Sequence, residues 1–586
     1  SRGIVADVEE VASFWALGGR ALSGVGDRLI AATPSERTTL PRPPADTLSR
    51  YRGEGIVLGH PRTQDGDVDP QPLVLPPELQ RLHTLLVGAT GSGKTVAAVT
   101  GLLANQDATD GATIVLAPKG DGMPEAYCKA HYAKYGSLDD VLYFDCSEVL
   151  PAFSFDQAWA DLLARKPQRM VPDLDRITLL SELLGRPDQA VPAIQVTGTN
   201  GKTSAAAVLT ALLNGLDLRV GTYTSPHLQT VCERVRVDGA PLSEGGFAER
   251  YAELAPYLAE VDARSSQHVT FFEALTALAY AEFADAPVDI AAYEVGMGGQ
   301  WDATNLVRGE VAVLTPVTLD HPELGDRIEE VAREKAGIIK PGAVVVSAPQ
   351  PQAAAEVIAA VAAEQQAELV TLGQDVRVVQ RHPAVGGQVI TVESVTTTLQ
   401  DLFVPLSGAH QADNVAAALA AVEGFLGFAG GLDEELLAEA VSSVRVPGRL
   451  EVVGRGSEQA PVVLDGAHNP AGARSLAQAL QEEFAHRRRV VMLGVLDDKD
   501  VEALVSALAP VVHCLLAVEA PSPRTAAAER VAKAAEGLID DVRIAGNVEQ
   551  GLQQASALVG HGDAVVVAGS LYTVGAGRAA LDLDPA

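Results

Sequence analysis

The 586 residues carry 44 Lys and Arg against 76 Asp and Glu, a formal net charge of −32, with 47% hydrophobic and 20% charged residues. The acidic balance is −6 over residues 1–150 (13 basic minus 19 acidic) and −26 over the remainder, which excludes a nucleic-acid binder working through bulk charge and points to small-molecule partners. A single core rarely grows past about 250–300 residues, so roughly three domains are expected.

Cys128, Cys146, Cys232 and Cys514 are far apart without metal-ligand spacing, and read as free or buried thiols of a reducing compartment. No stretch approaches about 18 uninterrupted apolar residues, and the first residues lack the basic, apolar, small-residue order of a secretory signal. A cytoplasmic protein with no membrane partner is expected.

In chain order, residues 1–30 hold an amphipathic helical pattern (Val5, Val8, Val11, Phe14, Trp15, Leu17, Leu22), and 33–80 are rich in proline and charge, with at most a short strand at 55–58. A strand over 82–87 then enters Gly88-Ala89-Thr90-Gly91-Ser92-Gly93-Lys94-Thr95, a phosphate loop in its strand-to-helix context. Strands over 113–117 and 141–145 follow, the second ending in Asp145. Through this loop and Ala117-Pro118-Lys119-Gly120-Asp121 the segment 55–151 resembles the start of the ATPase domain of conjugative coupling proteins. The later catalytic elements of such motors do not follow, so the resemblance implies a truncated P-loop NTPase.

From 156 the texture changes. Helical patterns over 159–165 and 174–184 precede a strand at 193–196 and a second, shorter phosphate loop, Gly198-Thr199-Asn200-Gly201-Lys202-Thr203-Ser204, which runs into an alanine-rich helix over 204–213. A β-branched run, a glycine turn and a helix N-terminus gather backbone N–H groups around one point, where a phosphate fits. Thr222 to Leu228 place hydroxyls and an imidazole on a proline-fixed loop. A strand over 288–293 ends in Glu294-Val295-Gly296-Met297-Gly298-Gly299. A carboxylate there suits a Mg²⁺ ligand beside a nucleotide, with a helix cap as the plainer alternative. The strand 311–315 leads to Leu319-Asp320-His321, and a helix over 327–336 carries Glu334-Lys335-Ala336-Gly337. Further on come Ser407-Gly408-Ala409-His410-Gln411-Ala412-Asp413-Asn414, the boundary run Val446-Pro447-Gly448-Arg449, and Leu464-Asp465-Gly466-Ala467-His468-Asn469-Pro470 after a strand. Strands over 490–494 and 564–567 complete a last sheet.

In this order the motifs resemble the Mur ligase superfamily, specifically folylpolyglutamate synthase/dihydrofolate synthase, over 156–586. The resemblance implies an α/β fold: a P-loop Mur-ligase-type central domain (156–446) and a smaller Rossmann-like C-terminal domain (447–586). A partial NTPase segment (81–155) and an N-terminal helix and Pro-rich region (1–80) precede them. It also implies ATP-driven addition of L-glutamate to dihydropteroate or to folates through an acyl phosphate, a chemistry that calls for Lys202, loop amides and Mg²⁺ rather than a protein nucleophile. By the same resemblance the loop 198–204 with Asn414, Arg449, Asp465 and His468 binds ATP. One Mg²⁺ lies by Ser225, Glu294 and Thr203, and a second by Glu294, His321 and a carbamylated Lys335. On its own, Arg449 reads as a linker residue and His468 as the start of a capped helix. Gln300 stands where the family commonly has Arg, and the run Asp320 to Gly325 is one residue short, departures that bear on local loop geometry. A monomer is expected. The competing readings are a DNA-translocating ATPase acting through Lys94 and a muropeptide ligase of the same superfamily.

Overall fold

The computed structural model describes residues 56–59, 73–75, 153–166, 173–320, 322–454, 460–484 and 488–585. The chain divides into two units, Ser1–Val149 and Leu150–Ala586. In the first, the strands β1 (Ile56–Gly59) and β2 (Leu73–Leu75) pair antiparallel. The loop Gly88 to Thr95 and the strands expected over 113–117 and 141–145 lie outside the described residues, as does His321.

The second unit is built on an eight-stranded sheet of β3 (Ala193–Thr197), β4 (Val220–Tyr223), β5 (Val235–Val237), β6 (Ala240–Pro241), β7 (Ile290–Glu294), β8 (Gly309–Leu314), β9 (Val344–Ser347) and β10 (Glu368–Thr371). Its order is β10-β9-β8-β3-β7-β4-β5-β6, with β5 and β6 antiparallel at one edge and the rest parallel. Every residue of β3 and β7 is buried, as expected of parallel strands covered on both faces. The pleat divides them: Ile194 and Val196 join one core, and Ala193 joins the opposite one. The first core is closed by the helices Lys202–Gly215, Ala409–Phe425 and Glu434–Ser442. The second is closed by Phe155–Ala164, Asp175–Leu183, Glu244–Arg264 and Phe271–Asp285. Glu273 completes a capping box with Thr270, and it also meets Arg176 through two hydrogen bonds of 3.0 and 3.1 Å.

One element has no counterpart in the sequence reading, an antiparallel sheet of β11 (Arg377–Ala384), β12 (Gly387–Glu393) and β13 (Thr398–Val404). The C-terminal sheet comprises β14 (Glu451–Val453), β15 (Val462–Leu464), β16 (Arg489–Leu493), β17 (Cys514–Ala517), β18 (Val542–Ile544) and β19 (Ala564–Ala568). Its order is β14-β15-β19-β16-β17-β18, parallel except for β14. No described helix is long and apolar enough to cross a membrane.

The placement of β3 beside β7 and β8 matters most, because it brings the C-terminal ends of three strands together at a topological switch point, where α/β sheets bind ligands. The Lys202–Gly215 helix that follows β3 is held there by Leu209, Leu212 and Leu213, all fully buried. Leu209→Ala is expected to cost about 2–5 kcal/mol, read as a lower urea midpoint for the second unit.

Candidate active site

Between β3 and its helix the chain turns at Gly198 (φ 145°) and Gly201 (φ 92°), backbone conformations that favour glycine. A Cβ on Gly198 would lie 1.9 Å from the Thr315 hydroxyl, and one on Gly201 would lie 2.7 Å from Asn414 Oδ1. The loop is pinned to the segment after β8: Thr199 N donates to the Pro316 carbonyl (2.9 Å), and the Thr199 hydroxyl donates to Thr318 O (2.9 Å). Lys202 opens the helix and curls back, its Nζ donating to the carbonyls of Gly198 (3.0 Å) and Thr199 (3.2 Å).

At the end of β7, Glu294 is buried and accepts from the Thr203 hydroxyl (3.0 Å) and from Ser225 N (3.2 Å). It is the last residue of its strand, so it does not cap a helix. Burial pushes its carboxyl above the usual range, with Lys202 opposing. Burial likewise holds the Lys202 ammonium below the ordinary lysine range. Lys335, near the end of the Ile328–Ala336 helix, is buried and also donates to the Gly198 carbonyl (2.9 Å). Burial, and then the charge of Lys202, push it down to about 7.

The C-terminal domain faces this wall. Asp465, after β15, accepts from Leu450 N (2.9 Å) and Ala467 N (2.9 Å), and burial raises its pKa. His468 hydrogen-bonds the Gly466 carbonyl through Nδ1 (2.8 Å); that acceptor fixes the proton on Nδ1, and burial lowers the imidazole to about 4. Asn469 caps the Pro470–Glu482 helix and also donates to Asn200 Oδ1 (3.1 Å) across the domains.

Of the sequence-predicted residues, Thr199, Asn200, Gly201, Lys202, Thr203, Ser204, Ser225, Glu294, Asn414, Arg449, Asp465 and His468 all line one cleft of roughly 420 Å³. Gly198 and Lys335 line a small recess of about 20 Å³ that shares Thr199 and Lys202 with the cleft. His321, expected at the second metal position, lies outside the described residues.

Sequence reasoning missed two residues that close the cleft, Asp320 and Lys499. They form an ion pair of 3.0 Å with both side chains at or below 10% exposure, and Asn469 also donates to Asp320 (3.3 Å). Asp320 was visible as the neighbour of His321, whereas Lys499, in the charged run Asp497 to Asp500, carried no signal of a partner 179 residues away.

Among the described residues no three His, Cys, Asp or Glu side chains gather as a metal cluster. The groups at Glu294 are instead its own carboxylate and the Thr203 hydroxyl, with Ser225 also lining the cleft, hard oxygens of the kind Mg²⁺ takes together with phosphate and water, and a buried carboxylate is a charge that a cation would offset. The residues present therefore fit Mg²⁺ beside a nucleotide.

Two family models match the chain, the Mur ligase middle domain over residues 196–422 and the Mur ligase glutamate ligase domain over 448–571. The dihydrofolate synthase/folylpolyglutamate synthase of Mycobacterium tuberculosis is 40% identical over 462 residues, 73% of this chain and 93% of that protein. Its Escherichia coli namesake is 33% identical over 68% of this chain and 89% of its own length. Among solved structures, the Mycobacterium tuberculosis folylpolyglutamate synthase complexed with ADP superposes with a TM-score of 0.70 at 40% identity, covering 74% of this chain and 99% of that one. The Escherichia coli FolC complex with DHPP and ADP gives 0.66 at 30% identity, over 74% and 98%.

The loop at Ser225 supplies a pH prediction. His227 accepts from Arg234 Nε (3.0 Å), and burial and then that guanidinium push it down to about 3. The unfolded chain binds this proton near pH 6.5, so the contribution of His227 to stability is complete above that pH and is lost as pH falls toward 3. The urea-midpoint advantage of the wild type over His227→Gln is expected to shrink steadily from pH 7 to pH 4.

Proposed function

Because the chain belongs to the dihydrofolate synthase/folylpolyglutamate synthase family of Mur-type ligases, we propose that its cleft is where ATP activates a folate-type carboxylate. The enzyme is an ATP-dependent ligase that adds L-glutamate to dihydropteroate or to folates and their polyglutamates. The observation that carries the site assignment is the convergence of twelve motif residues, spread from Thr199 to His468, on one cleft.

In this reading the acceptor carboxylate attacks the γ-phosphate of ATP, releasing ADP and leaving an acyl phosphate. The amine of L-glutamate then adds to the acyl carbon, and phosphate departs from the tetrahedral intermediate. Negative charge grows on oxygen in both steps, so preorganised donors do the work. Lys202, the loop amides of 198–203 and the helix N-terminus hold the phosphates. Ser204 and Asn414 line the nucleotide on the central-domain side, and Arg449, Asp465 and His468 on the C-terminal side. Thr203, Ser225 and Glu294 would hold one Mg²⁺, and Glu294, His321 and Lys335 a second. Bound there, the ions would neutralise phosphate charge during transfer. Lys335 is proposed to be carbamylated. A pKa near 7 leaves much of the amine unprotonated at neutral pH, the form that reacts with CO₂, and the product is an anion suited to a cation.

The catalytic units are proposed to span 156–446 and 447–586, in a cytoplasmic monomer with small-molecule partners only. The loop at Lys94 is proposed to take no part in ligation, its segment 81–155 being a partial NTPase of the coupling-protein type.

With ATP, Mg²⁺ and labelled glutamate, dihydropteroate or a tetrahydrofolate is expected to give a glutamyl product. Lys202→Ala should lower the rate by at least about 10²-fold, and Lys94→Ala should leave it unchanged. Product from a UDP-muropeptide alone, or DNA-stimulated ATP hydrolysis without ligation, would overturn the assignment. For Lys335, ¹³C-bicarbonate should yield a carbamate resonance that Lys335→Ala removes; a spectrum identical in both proteins refutes the modification.

A further inference from the structure

Arg578 lies in the last helix, Leu571–Ala580, is 5% exposed and is absent from the lining of the cleft. Its guanidinium nevertheless joins two segments that enter that cleft from different domains. Nε donates to Gln229 Oε1 (2.7 Å), Nη1 meets Glu451 Oε1, and Nη2 donates to the Asp584 carbonyl (2.6 Å).

Gln229 belongs to the turn that begins at Ser225. That turn is shaped by the buried carboxylate of Glu233, which accepts from the backbone N–H groups of Leu228 (2.7 Å), Gln229 (2.9 Å) and Thr230 (2.9 Å). Leu228 leaves the central domain to pack in the C-terminal core. Its carbonyl approaches Gly575 so closely that a Cβ there would stand 2.1 Å away. On the other side, Glu451 spends its second oxygen on Gly448 N (2.8 Å), the residue before Arg449. Gly448 itself packs against Leu228 and Val574.

We propose that Arg578 is a positioning residue, one buried guanidinium that sets the Ser225 turn and the Arg449 linker in register so that both enter the cleft together. The inference rests on reading Ser225 and Arg449 as site residues. Arginine suits this task because its planar fork presents donors in fixed directions to three acceptors at once, which a lysine ammonium cannot reproduce. A buried ion pair is weak evidence for stability, and fixing a geometry is the role it can serve beyond that.

The two arms can be cut separately. Gln229→Ala releases the turn, Glu451→Gln weakens the linker arm, and Arg578→Gln loosens both, while Arg578→Lys retains only the charge. Each is measured for kcat and KM in ATP-dependent glutamylation of dihydropteroate, for ADP affinity by calorimetry and for thermal midpoint. Gln229→Ala is expected to lower kcat about tenfold with ADP affinity unchanged, and Glu451→Gln to weaken ADP binding several-fold. Arg578→Gln should do both, and Arg578→Lys should rescue only part. Misplacements of about 1 Å carry losses up to about 10²-fold. Adding Gln229→Ala to Arg578→Gln should cost clearly less than the sum of the two single losses, since the shared arm is already gone and only the bond from Gln229 Nε2 to the Leu583 carbonyl (3.1 Å) is left to cut. If Arg578→Gln fails to fold, Gln229→Ala and Glu451→Gln, whose side chains are partly exposed, carry the test. Variants that lower the thermal midpoint but keep kcat, KM and ADP affinity within about twofold of wild type reduce Arg578 to a brace and overturn the inference. A wild type that neither binds ADP nor forms product refutes the site reading instead.

Discussion

Lys202 and Lys335 both direct their ammonium groups at the carbonyl of Gly198, at 3.0 and 2.9 Å, beside the buried carboxylate of Glu294. Burial removes the water that would solvate these two cations, so both lysines are held below their usual range, with the charge of Arg449 lowering Lys202 further and that of Lys202 lowering Lys335. Glu294 opposes the lowering at Lys202, and burial raises its own carboxyl. The balance leaves a recess whose electrostatic need is met from outside, by an anion against the lysines and a cation against the carboxylate. A nucleoside triphosphate with a bound metal ion would supply both. The backbone around it follows from the same constraint: Gly198 has no room for a side chain because β8 must come close enough for Thr315 to donate to the Thr197 carbonyl (3.1 Å).

This recess is half a site until the C-terminal domain covers it. Three ties hold the cover. Asn469 and Lys499 reach Asn200 and Asp320 at the cleft, Arg578 and Leu228 join the last helix to the Ser225 turn, and Glu483 accepts from Gly408 N (3.0 Å) ahead of the helix carrying Asn414. Each tie ends within a few residues of a group that lines the cleft. An acyl phosphate hydrolyses if water reaches it, so a ligase gains from a cover whose contacts are registered on the reacting groups themselves.

Most of this was legible in the sequence because phosphate cradles and strand-end carboxylates are local devices. Gly198 to Ser204 and Glu294 to Gly299 each announce themselves within seven residues, and the strands at 193 and 290 are near-continuous apolar runs that only a doubly covered sheet explains. The antiparallel sheet β11–β13 was not legible. Its first strand, Arg377–Ala384, is largely exposed and includes Arg381, His382 and Pro383, so it lacks the apolar alternation that marks a strand. Lys499 and Arg578 were missed for a different reason. A charged residue looks like solvated surface until the fold brings its partner, and their partners are 179 and 349 residues away.

The departure at Gln300 is resolved by the way its loop is held. Gln300 N donates to the Glu334 carbonyl (2.9 Å), its carbonyl accepts from Asn305 Nδ2 (3.1 Å), and Glu334 Oε1 accepts from the N–H groups of Gly299 (3.4 Å) and Trp301 (3.2 Å). Every one of these bonds uses the backbone of residues 299–301, so an arginine or a glutamine at 300 leaves the same loop. The side chain of Gln300 is exposed. Gln300 lines neither the cleft nor the recess, so exchanging a cation for an amide there leaves the walls around Glu294 and Lys335 as they are.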